Sequence, residues 1–121
     1  VTERPGDAGY LIVLKHLVVA ADLAEIIRDF DAAARVETAR TVAEGLARLD
    51  GLSGLAVALL GDDRDAPAWP QLVAAIEARG ARIVLIPRDE HERPEPGHDF
   101  LILDRPFTTE MVLALLDGAR G

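Results

Sequence analysis

Residues 99–107 read Asp-Phe-Leu-Ile-Leu-Asp-Arg-Pro-Phe, and this stretch decides the fold. The four consecutive apolar residues 100–103 have no polar alternation, which suits a short strand covered on both faces. A basic residue, Arg105, then stands before Pro106 and an aromatic. Thr108 or Thr109 can cap the helix that follows, because a hydroxyl oxygen there accepts from an unpaired backbone N–H. Glu110 falls in the first turn, where the helix dipole favours negative charge. Val112, Leu115, Leu116 and Ala119 line the inner face of this helix. The chain therefore closes on a buried strand, a basic residue before a proline, and an amphipathic helix.

The same alternation runs back to the start. Residues 10–14 form a continuous apolar strand. Lys15 and His16 follow it. Leu23, Ile26, Ile27 and Phe30 recur at i, i+3, i+4 and i+7, one face of a helix, with Asp22, Glu25, Arg28 and Asp29 on the other side. Residues 34–38 alternate apolar and polar, as a half-exposed edge strand does. Thr41 and Glu44 have capping-box spacing. The helix they open turns Val42, Leu46 and Leu49 inward and ends at Asp50-Gly51. Residues 54–60 are a central strand, and 61–67 a loop by composition. A helix from about Ala68 carries Leu72, Val73 and Ile76 inward, with Gly80 just past its end. Residues 81–86 are another buried strand.

Residues 87–98 are polar, hold Pro94, Pro96 and Gly97, and show no apolar periodicity. Proline disfavours helix at the residue before it, so a helix between the fourth and fifth strands is expected to be absent or reduced to a turn. Residues 1–9 read as a flexible N-terminal arm, and 10–121 as the domain. Strands alternating with helices at this spacing give an α/β fold. The expectation is a flavodoxin-like, doubly wound, five-stranded parallel sheet of order 2-1-3-4-5, with the alternating second strand at its edge.

Composition narrows the function. In 121 residues half are hydrophobic, enough for one domain with a real core. The net charge of −8 argues against a nucleic-acid backbone or an anionic membrane as partner, since both call for clustered Lys and Arg. There is no cysteine, hence neither a disulfide nor a thiolate metal site. No run is long enough to span a bilayer, and no signal peptide is visible, so a bacterial-type cytoplasmic protein is the default. Neither a G-x-G-x-x-G nor a P-loop occurs, and the single serine, Ser53, gives no triad.

Residues 11–27 and 101–112 carry a resemblance to the response regulator receiver domain, and it extends from about residue 10 to 118. Members of that family bring an acidic pair after the first strand, an Asp at the end of the third, a Thr or Ser after the fourth and a Lys before a proline to one phosphorylation pocket. A divalent ion there neutralises the charge crowded around a carboxylate nucleophile and a phosphate. Laid on that pattern, the acidic pair becomes Lys15 and His16. The phosphoacceptor becomes Leu59, or Leu60 one residue on. The Thr or Ser becomes Pro87, and the Lys becomes Arg105, with Pro106 kept. A protonated lysine cannot ligate magnesium and a leucine cannot be phosphorylated. The resemblance thus implies a pseudo-receiver: a two-component or phosphorelay module working through protein–protein contact, with no cofactor. Its expected partner is a kinase, a regulator or itself, the homodimer forming through the last strand and last helix.

Other readings stand beside this one. Asp62 or Asp63 could be a rewired acceptor, or with Asp65 a solvated charge run. His16, His91 and His98 could converge on a metal, although their spacing matches no metal motif. Lys15 could replace the missing cation and pair with Asp62 or Asp104, or remain in solvent. Arg105 could pair with a carboxylate or cap carbonyls, and Pro106 is a candidate cis-proline. Trp69 is read as packing. The crevice could also serve a small-molecule or metal sensor. No enzyme is expected, because no nucleophile–base pair is visible.

Overall fold

Apolar runs of period two and apolar stripes of period 3.6 alternate along the chain and set down a sheet with helices on both faces. The computed structural model describes residues 9–31, 34–52, 54–61, 65–86, 101–102 and 108–120. The strands are β1 (Gly9–Val13), β2 (Arg35–Ala39), β3 (Val57–Gly61), β4 (Arg82–Ile86) and the two-residue β5 (Leu101–Ile102). The helices are α1 (Leu17–Phe30), α2 (Val42–Leu49), α3 (Trp69–Ala78) and α4 (Thr109–Arg120). The sheet runs β2-β1-β3-β4-β5 and every neighbouring pair is parallel.

Alternation along each strand splits the core in two. Tyr10, Ile12, Leu14, Val57, Leu59, Val84 and Ile86 face Leu23, Ala24 and Ile27 of α1 and Val112 and Leu116 of α4. Leu11, Val13, Ala58, Leu60, Ile83 and Leu85 face Val42 and Leu49 of α2 and Trp69, Leu72, Val73 and Ile76 of α3. Each buried Val, Leu or Ile among them, taken from water, stabilises the fold by about 1.5–3 kcal/mol. α2 comes close to β1 because Gly45 has no side chain: a Cβ there would lie 2.7 Å from Val13 Cγ2.

The helix ends are built as the sequence indicates. Thr41 Oγ1 accepts from Glu44 N at 3.1 Å, while Glu44 Oε2 accepts from Arg40 N at 3.1 Å, one residue before the position a capping box uses. Thr108, rather than Thr109, caps α4, accepting from Met111 N at 3.2 Å. At the end of α3, Gly80 N donates to Glu77 O at 3.0 Å and Ala81 N to Ile76 O at 3.4 Å. This paired closure needs a left-handed residue, and Gly80 supplies it with φ +72°.

Some boundaries differ from the sequence reading. Gly9 belongs to β1, not the arm, and pairs with Arg35. β3 begins at Val57, since Ala56 N is taken by Gly9 O at 2.8 Å and Gly54 O lies against Gly9. It then runs on through Gly61, which pairs with Ile86. Ile26, Phe30 and Leu46 sit at the rim of the core, half-buried. Trp69 is packing. Residues 1–8 of the expected arm and the 87–100 link, with Pro94, Pro96 and Gly97, lie outside the described residues, as do the side chains of Leu115 and Ala119. Among the described residues no helix is long and apolar enough to cross a membrane.

Gly80 isolates the backbone requirement, because a Cβ there would meet nothing within 4 Å. Gly80→Ala should lower stability in chemical denaturation by about 1 kcal/mol through conformation alone, and Gly80→Asn by less.

Candidate functional site

In an open α/β sheet the crevice for ligands lies beyond the carboxyl ends of the strands. β1 leaves the sheet through Leu14, whose N–H still donates to Ala39 O at 2.9 Å. Lys15 follows and is exposed. His16 is the N-cap of α1: its carbonyl accepts from Ala20 N at 3.0 Å, and its side chain makes no capping bond. Leu17 and Val18 open the helix with their side chains in solvent. From the neighbouring strand comes Arg40, exposed and one residue past the Ala39 that pairs with Val13. Lys15, His16 and Arg40 thus share one end of the sheet.

Leu59 does not reach it. It pairs with Ile12, three residues before Lys15, and is 1% exposed in the layer beneath α1. Leu60 pairs with Val13 and is equally enclosed. The end of β3 is Gly61, where a Cβ would stand 2.8 Å from Leu14 Cδ2, so these two residues are level. Lys15 follows Leu14 in the chain and Asp62 follows Gly61. Sequence reasoning stopped β3 at its last apolar residue. The missed signal was the glycine, which continues a strand wherever a neighbour packs too closely for a side chain.

Asp62, Asp63, Pro87, His91, His98, Asp104, Arg105 and Pro106 lie outside the described residues. Asp65, the remaining acid of the charge run, is exposed.

At this edge Lys15 and Arg40 are exposed, with the Glu44 carboxylate accepting from Arg40 N and Asp65 exposed in the loop after β3. An ammonium has no lone pair, and hard divalent ions take oxygen ligands, so Lys15, His16 and Arg40 do not fit magnesium. Among the described residues no three His, Asp or Glu side chains gather as a ligand set. Arg48 pairs with Glu37 at 3.7 Å and Glu44 at 3.6 Å, whereas Lys15 and Arg40 form no ion pair with a described residue. The arrangement suits a surface bearing carboxylates.

With strand order and crevice in place, the architecture is that of the response regulator receiver fold. The chain is similar to the signal receiver domain of an HD domain-containing protein from Pseudomonas fluorescens Pf-5, with a TM-score of 0.74 at 17% identity over 98% of this chain and 90% of that one. It is similar also to a response regulator receiver protein from Sinorhizobium medicae, at 0.72 and 20% identity over 94% and 97%. A third likeness is to the chemotaxis response regulator CheY4 of Vibrio cholerae, at 0.70 and 20% identity over 93% and 98%. At these identities the likeness is one of fold. No protein-family model and no curated protein matches the chain.

The burial of Leu59 sets a test. Placing a carboxylate there takes an ion out of water inside the sheet, a penalty of several kcal/mol. Leu59→Asp should therefore collapse the thermal transition and give no phosphoryl adduct with a phosphodonor. A folded variant that accepts phosphate would show that residue 59 faces the crevice.

Proposed function

We propose that this chain is a two-component or phosphorelay-type signalling module, a pseudo-receiver that acts through protein–protein contact without being phosphorylated. The carrying observation is the exposed Lys15-His16 pair at the end of β1. In receivers of this fold an acidic pair stands there and helps to hold magnesium. Without that cation, the charge of a carboxylate nucleophile and a phosphate goes uncompensated. The switch is then the presence of a partner rather than the gain of a charge. The contact face in this reading is formed by β5 and α4, where Met111 is 38% exposed, and it takes a kinase, a regulator or a second copy.

One observation favours a second reading. Asp62 follows Gly61, the residue of β3 that lies against Leu14, in the chain, so a rewired receiver would take its acceptor from Asp62 or from the next residue, Asp63. Lys15 would there replace the metal as counter-charge.

Intact-mass measurement after incubation with acetyl phosphate and magnesium separates the two. The pseudo-receiver gains no phosphoryl group. A hydrolysable adduct that disappears in Asp62→Ala/Asp63→Ala would replace this reading with the second.

A further inference from the structure

Two aliphatic side chains at the start of α1 are left uncovered: Leu17 is 58% and Val18 75% exposed. Leu17 is in phase with the buried stripe Ala20, Ala24 and Ile27, yet as the first residue of α1 it is left exposed. Val18 heads the outward stripe that continues through Asp22, Glu25 and Asp29, at helical spacing. The outer face of one helix therefore changes character along its length. Its first turn is apolar and follows Lys15 and His16; beyond it Asp22, Glu25 and Asp29 outnumber the one exposed base, Arg28.

The acidic part borders a groove of about 370 Å³, lined by Asp22, Glu25, Ile26 and Asp29 of α1 and Thr109 of α4. Carboxylates line it, and the half-buried Ile26 gives it an apolar element. The groove and the first turn are opposite in charge, and each joins apolar surface to its charge.

We infer that the Leu17–Val18 patch docks into the α1–α4 groove of a second copy of this chain. The aliphatic pair covers Ile26, and Lys15 and Arg40 meet the carboxylates around it. Patch and groove lie on one outer stripe of α1, so two copies packed with these helices antiparallel seat each patch in the other's groove, and the assembly closes at two. Copies of net charge −8 repel at long range. At physiological salt that repulsion is screened beyond about 8 Å, and the local match decides. The inference is independent of the signalling reading, and its groove meets α4 at Thr109.

Sedimentation equilibrium from micromolar to millimolar protein tests it, with Val18→Glu to spoil the patch and Glu25→Lys to spoil the groove. Both positions are exposed, so both variants should keep the wild-type circular dichroism melt. The wild-type average mass should rise to the dimer and level off there, and each variant alone should remain monomeric. An equimolar mixture of the two should reach twice the monomer mass and no more, because one sound patch and one sound groove remain. A wild type that stays monomeric throughout would overturn the inference. So would self-association that neither variant alters, which would assign it to another face, or a mixture that stays monomeric.

Discussion

Every other element is placed by the burial of β1 on both faces and along both edges. All five of its residues are buried, between β2 on one side and β3 on the other. A strand in that position is held to apolar side chains or to a polar group that finds a partner, because burying an unpaired polar group is costly. Its alternate residues anchor the two separate cores, Tyr10 and Ile12 beneath α1, Leu11 and Val13 beneath α2 and α3. The glycines fit around it: Gly45 lets α2 down onto Val13, and Gly61 lets β3 pass Leu14. The crevice begins where this enclosure stops, at Lys15, the first residue after β1 whose side chain is exposed.

Much of this was legible beforehand. The order of elements, the parallel sheet, the edge position of β2, the capping oxygen of Thr41 and the glycine after α3 each follow from a local rule whose cause is local. What the pattern obscured was depth along the sheet. An apolar run shows that a strand is buried but not which residue pairs with which. Leu59 therefore looked like a strand end, although two more residues of β3 follow it. The start of β3 failed for the same reason: Leu55 and Ala56 read as strand but lie outside it. Register is fixed by partners distant in sequence.

The candidate site was legible in type but not in position. That Lys15 and His16 are the wrong chemistry for a hard cation can be read from their names. That Arg40 joins them cannot, because it depends on Val13 pairing with Ala39 across a whole helix of intervening chain. The exposure of Leu17 was hidden similarly. Its spacing puts it in phase with Ala20, Ala24 and Ile27, yet it stands in water at the start of the helix.

The outer edge of β2 bears on how this protein behaves in a crowded cell. A strand at the margin of a sheet offers unpaired backbone groups to any extended chain, and such edges seed aggregation. Here the marginal strand is only five residues long and carries Arg35 and Glu37, with Arg48 held against Glu37 from α2. A sixth strand added there would have to desolvate those charges. Among the described residues, charge is what guards this edge against β-type accretion, and the uncovered aliphatic surface lies on a helix, which cannot template a fibril.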